Sequence, residues 1–216
     1  VYRDYSDIKY FLPQILENGA TAPSKYKRYQ SEIEKVKKKI GIELKFHSGI
    51  IKGDFVIKNN KLLIIEFTTR LSGGDFSESL APLSNGINYV KQAIKIAAKD
   101  QVKISELKSK FSKTVVNRYF FLPKGKLLKI SGLDKLKKIK EVKKIDFYYD
   151  IKSKIPKIDS HGKRVGVFII VSKDKKKINK IIDKVYRTVR FNVSNKWYLG
   201  FPSSLNKNKK KLNIPS

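Results

Sequence analysis

The spacing of apolar positions changes several times along the 216-residue chain, and each spacing predicts an element. Residues 5–18 mix apolar and polar positions around Pro13, and Gly19 to Ser24 reads as a loop. From Tyr29 to Ile40, Ile33, Val36 and Ile40 recur at helical spacing. Glu32 and Glu34 lie early and Lys37 to Lys39 late, the order a helix dipole favours, and Gly41 is expected to end the helix. Two strand-like stretches, Gly49 to Lys58 and Lys61 to Arg70, flank Asn59-Asn60 and predict a β-hairpin. Leu71 to Gly86 has the small, polar, glycine-bearing content of a functional loop, and Ile87 to Ala98 returns to a helical pattern.

In the second half, Arg118 to Leu122 and Leu127 to Ile130 are strand-like, and the Pro123-Lys124-Gly125-Lys126 turn predicts that they form a hairpin. A lysine-rich helix from Gly132-Leu133-Asp134 to about Lys140, a strand at Ile145 to Asp150 and an almost wholly apolar strand at Val165 to Val171 follow. Ile178, Ile181, Ile182, Val185 and Val189 share one face of a further helix. The fold class expected is α+β: an antiparallel sheet with packed helices over residues 1–100, a smaller α+β lobe over 101–202, and a polar, basic tail over 203–216. No internal repeat is present.

Composition narrows the function. The formal charge is +30, with 42 lysines and seven arginines. It is uneven, since residues 1–100 carry +6 and residues 101–216 carry +24. Lys135 to Lys144, Lys173 to Lys184 and Lys207 to Lys211 would be the phosphate-neutralising runs of a nucleic-acid-binding protein. Lysine predominance and its interleaving with Ile and Asn instead favour a solvated surface, so nucleic acid is not the expected partner. Cysteine is absent, which excludes disulfides, thiolate nucleophiles and cysteine-ligated metals. No apolar run reaches the roughly 18 residues of a membrane helix, so no membrane partner is expected and the cytoplasm is the expected compartment. The chain begins at Val1 and contains no methionine, as expected of a piece of a longer protein.

The candidate chemistry lies in the first hairpin. Asp54 and Glu66 interrupt apolar strands, where an ionised carboxylate is costly without a compensating cation. Alternation along a strand aligns Glu66, Thr68 and Arg70 on one face. Asp54 joins them only in one register. A two-residue loop at Asn59-Asn60 pairs Asp54 with Ile65, whereas a three-residue loop, Asn59 to Lys61, pairs it with Glu66. Oxygen-only ligation by one or two carboxylates, completed by water and phosphate, suits Mg²⁺. Arg70 would then hold phosphate or carboxylate, with the Ser72-Gly73-Gly74 backbone close to an anionic ligand. The alternative is structural, with Asp54 capping a strand and Glu66 paired with Arg70 or Lys52.

The run KGDFVIKNNKLLIIEFTTRLSGG, Lys52 to Gly74, resembles the metal-binding hairpin and following loop of ATP-grasp enzymes, in particular the carboxylate-amine ligases and their carbamoyl-phosphate-synthetase-like and biotin-carboxylase-like relatives. LAPLSNGINYVKQAIKIA (Leu80 to Ala97), RYFFLPKGKLLKISGLD (Arg118 to Asp134) and SHGKRVGVFII (Ser160 to Ile170) are similar to later parts of these ligases. The resemblance implies Asp54 and Glu66 as Mg²⁺ ligands of bound ATP, Arg70 as a contact to phosphate or substrate, and Ser72, Gly73 and Gly74 as part of the acyl-acceptor side. Thr68 stands where many members have Asn, a stronger neutral ligand for a second metal ion. The nucleotide-covering half of the family has no counterpart ahead of the hairpin, so the chain corresponds to a C-terminal half that would not turn over alone.

The activity implied is ATP- and Mg²⁺-dependent joining of a small-molecule carboxylate to an amine through an acyl phosphate. Two rivals differ in class: a basic nucleic-acid-binding module, and a degenerate ATP-grasp relative that binds without catalysis. His47 and His161, the two histidines, are expected to be structural or solvent-facing, and most aromatic residues are expected in the core.

Overall fold

The computed structural model describes residues 1–205 and divides into two compact units, residues 1–2 with 22–113, and residues 3–21 with 114 onward. Residue 100, the expected boundary, falls inside the first unit. Of the expected basic tail, residues 203–205 belong to a short 3-10 helix, Pro202–Leu205, and 206–216 lie outside the described residues, Lys207 to Lys211 among them.

The strands in chain order are β1 (Tyr2–Arg3), β2 (Ala20–Ala22), β3 (Lys52–Lys58), β4 (Lys61–Thr68), β5 (Thr114–Phe120), β6 (Gly125–Ser131), β7 (Val142–Phe147), β8 (Lys154–Ile155), β9 (Gly166–Ser172), β10 (Arg190–Val193) and β11 (Lys196–Leu199). The α-helices are α1 (Gln30–Glu43), α2 (Ala81–Asn85), α3 (Tyr89–Ala97), α4 (Leu133–Lys137) and α5 (Lys175–Thr188). Three sheets form, ordered β1-β2-β5-β9-β7, β11-β10-β6-β8 and β3-β4, which bears out the mixed α and β class with antiparallel pairing.

The first unit holds the β3-β4 hairpin and helices α1 to α3. Helix α1 continues through Gly41 to Glu43, where Gly41 was expected to stop it, because Leu44 N still donates to Ile40 O at 3.0 Å. Leu71 to Gly86 is not simply a loop. After Gly74 and Asp75, both in left-handed backbone, one turn of π-helix (Phe76–Leu80) runs into α2, anchored by buried Phe76 and Leu80. Helix α3 is started by Asn88, whose side chain accepts from Lys91 N at 2.9 Å.

The second unit carries most of the hydrophobic core. Every residue of β5 is buried, and β5 pairs antiparallel with β9, itself paired on its other edge with β7. Helix α5 packs against β5 and β9 through Ile178, Val185 and Tyr186. Asp174 caps it by accepting from Lys176 N at 2.8 Å. Phe120 lies at the centre of an aromatic cluster with Phe147, Phe168, Tyr186 and Phe191, ring centroids 5.1 to 5.9 Å away. The hairpin expected between the strands around Pro123 does not form. Both edges of β5 are already occupied, by β2 and β9, so β6 joins the other sheet and pairs with β10 and β8.

Candidate functional site

The hairpin brings the acidic candidates together by a route that neither expected turn describes alone. Asn59 and Asn60 have φ of 50° and 58°, the two-residue turn whose twist suits antiparallel strands. Arg28 Nη2 donates to Asn60 Oδ1 at 2.9 Å and the Tyr29 hydroxyl to Asn60 O at 3.2 Å, tying the turn to the start of α1. The ladder runs regularly from Lys58 opposite Lys61 to Phe55 opposite Ile64, then slips by one residue. Asp54 thereby faces Glu66, Gly53 faces Phe67 and Lys52 faces Thr68. The residue passed over is Ile65, a β-bulge that is 65% exposed. The short loop forms, and the bulge supplies the register that the longer loop would have given.

The faces of the hairpin follow from this register. Gly53, Phe55 and Phe67 share one side, where the two rings meet edge to face at 5.4 Å. A Cβ on Gly53 would lie 2.6 Å from the Phe67 ring and 2.8 Å from the Phe55 ring, so glycine is required at that point. Lys52, Asp54, Glu66 and Thr68 share the opposite side. Lys52 Nζ sits between the acids, 2.7 Å from Asp54 Oδ2 and 2.9 Å from Glu66 Oε1. The pairing with Lys52 weighed from the sequence is therefore present, and it engages both acids. Thr68 Oγ1 is enclosed and has no hydrogen-bond partner, a condition that costs about 1–3 kcal/mol where nothing else satisfies the oxygen.

The expected row Glu66, Thr68, Arg70 is not continuous. Strand β4 ends at Thr68, and Arg70 is exposed in the following bend, where Nη1 donates to Leu71 O at 3.0 Å. Ser72 N donates to Ser77 Oγ at 3.0 Å. Gly73 is exposed, and a Cβ there would meet nothing within 4 Å, so packing among the described residues does not account for its being glycine. Gly74 has φ of 63°.

Among the described residues no group of three or more His, Cys, Asp and Glu gathers as a metal cage. Two carboxylates with a neutral hydroxyl, already facing a cation, nevertheless fit Mg²⁺, which keeps several waters and leans on substrate phosphates.

The second unit contains polar groups that sequence reasoning left aside. Glu17 Oε1 lies 2.8 Å from Arg164 Nη2, and Glu17 Oε2 lies 2.5 Å from His161 Nε2. Burial works to raise the Glu17 carboxyl, but the His161 hydrogen bond and the Arg164 guanidinium outweigh it and bring it down to about 2. Arg164 also lies over the Tyr119 ring at 3.8 Å. His161 is half exposed and paired with Glu17, and His47 is exposed. Arg118, in the middle of β5, pairs with Asp4 at 2.5 Å beside an open cavity of about 330 Å³ whose walls include Asp7, Asn18, Asp183 and Tyr186. Burial pushes the Tyr186 hydroxyl up. The available signal was a charged arginine within a largely apolar strand, the same anomaly that singled out Asp54 and Glu66.

Comparison with known proteins gives this architecture a family context. Residues 118–194 match the family described as L-amino acid ligase C-terminal domain 2. An L-amino acid ligase from Bacillus licheniformis superposes with a TM-score of 0.71 at 20% identity, over 85% of this chain and 46% of its own. The chain shares its fold with the matched part of that structure. A phosphoribosylglycinamide synthetase from Anaerococcus prevotii superposes at 0.68 and 22% identity over 83% and 46% of the two chains. A biotin carboxylase in a β-γ-ATP complex from Campylobacter jejuni does so at 0.62 and 14% identity over 82% and 40%. The chain thus spans less than half the length of these solved structures. No curated protein sequence matches it. No helix among the described residues is long and apolar enough to cross a membrane.

Proposed function

We propose that this chain is the C-terminal part of an ATP-dependent carboxylate-amine ligase, and that its β3-β4 hairpin holds the phosphate-bound Mg²⁺. The observation that carries this reading is the bulged register, which sets Asp54 against Glu66 beside the partnerless Thr68 hydroxyl. Asp54 and Glu66 would hold the ion, with Thr68 as a neutral third donor. When bound, Mg²⁺ would neutralise the phosphate charge that develops as the terminal phosphoryl group is transferred.

The reaction proposed has two steps. A substrate carboxylate oxygen attacks the γ-phosphorus of ATP and ADP leaves, giving an acyl phosphate. An amine then attacks the acyl carbon, and phosphate leaves with the C–O bonding pair while the amine nitrogen loses a proton. Arg70, exposed just past the end of β4, would turn from Leu71 O to the transferring group and stabilise its charge. Gly73, where a Cβ would meet nothing within 4 Å among the described residues, would let the loop backbone approach the carboxylate or acyl group. Small-molecule carboxylates and amines are the partners this chemistry calls for.

The test is Glu66→Ala in the intact protein. ADP release dependent on carboxylate and amine should fall by at least about three orders of magnitude, since a charge-stabilising group is lost from phosphoryl transfer. The far-ultraviolet circular dichroism should be unchanged. Full activity in the variant would refute the assignment.

A further inference from the structure

Lys52 differs from the many solvated lysines of this chain. Its side chain is only 13% exposed, and its ammonium is shared between two carboxylates contributed by two strands. The register explains why: Lys52 and Asp54 are two residues apart on β3, so they share a face, and the bulge brings Glu66 onto that face opposite Asp54. The ammonium engages Asp54 and Glu66, while Thr68, directly across from Lys52, keeps an enclosed oxygen with no partner. Three oxygen donors therefore face a position where a monovalent cation satisfies two of them.

We propose that Lys52 is the resident counter-ion of the acid pair and gates the metal site, so that a divalent ion gains Asp54 and Glu66 only by displacing the Lys52 ammonium. This rests on the metal-binding reading above. Lys52 prevents the two carboxylates from repelling each other before the ion arrives, and it lowers affinity for a bare ion. Once displaced, the ammonium remains beside the site as a positive charge suited to an anionic ligand entering with the metal. A bare cation must overcome that charge, whereas a cation carrying phosphate is attracted by it.

The experiment is titration of the full 216-residue chain with Mn²⁺ alone, the unbound ion being followed by electron paramagnetic resonance. Lys52→Met should bind Mn²⁺ about tenfold more tightly than the unaltered chain, because a competing charge at contact distance has gone. Lys52→Gln should do the same, which guards against a folding defect specific to methionine. Lys52→Arg, which keeps the charge, should bind no more tightly than the unaltered chain. Glu66→Gln added to Lys52→Met should abolish the gain. If the unaltered chain binds Mn²⁺ through Glu66 but Lys52→Met and Lys52→Gln bind no better, the gate is refuted and the metal reading stands. If no variant binds Mn²⁺, or if binding ignores Glu66→Gln, both fall.

Discussion

Glu17→Gln should destabilise the second unit by an amount that depends on pH in a defined way. The Glu17 side chain is 7% exposed, and its carboxyl is held at about 2 against an ordinary value of 4.5. Because the folded value is depressed, the stabilisation is fully present well above 4.5 and is lost as pH falls through about 2. The difference of about 2.5 units corresponds to roughly 3 kcal/mol at pH 7 and, from the same linkage relation, about 1.4 kcal/mol at pH 3. Glutamine keeps the shape and an acceptor for Arg164 but removes the charge, so the substitution isolates the electrostatic part. Trp197 is the single tryptophan and lies in the same unit, so its fluorescence during urea unfolding reports the transition. Unaltered and Glu17→Gln chains should differ by about 3 kcal/mol at pH 7, with the gap at least halved at pH 3. A gap of equal size at both pH values, or one below about 1 kcal/mol at pH 7, would refute the reasoning.

Gly53→Val should disrupt the first hairpin, since its Cβ alone would fall 2.6 Å from the Phe67 ring. A cost of about 1–3 kcal/mol should appear as faster amide exchange across β3 and β4. Asn195→Gly should stabilise the second unit by about 0.5 kcal/mol, seen as a modestly raised urea midpoint, because Asn195 sits at φ of 64° in the turn joining β10 and β11. Phe120→Ala should cost about 3–5 kcal/mol by emptying the centre of the aromatic cluster, measurable in the same urea assay. Filter binding to duplex DNA should be weak and absent at physiological salt; tight binding with a steep salt slope would favour the nucleic-acid rival.

Several elements were legible in the sequence because their causes are local. Of the expected α5 face, Ile178 and Val185 are buried and Ile181 and Ile182 partly buried, as helical spacing requires, while Val189 is buried just past the helix end. The unbroken apolar run near Val167 becomes a strand buried at every residue but Val171, and Asn59-Asn60 becomes a turn. The Ser194-Asn195 turn between β10 and β11 rests on the same chemistry, with φ of 49° and 64°, but went unread because the flanking strands span only four residues each. The join between β5 and β6 was misread for a different reason. A turn-rich tetrapeptide states where the chain bends, and which strand edges are already taken depends on β2 and β9, remote in sequence.

For the candidate site the division is sharper. The sequence alone determined that two acids stand among apolar strand residues twelve positions apart, with Thr68, Arg70 and a glycine-bearing loop following. It also determined that the join between the strands is an asparagine pair able to adopt left-handed backbone. Only the tertiary structure decided that the acids meet, because facing depends on the register of both strands together and a one-residue slip reverses it. That slip occurs at Ile65, a residue with no sequence feature to announce a bulge, and it also brings Lys52 between the carboxylates. Spacing along one strand is fixed by covalent geometry, whereas pairing across two is the outcome of a competition among side chains on both faces.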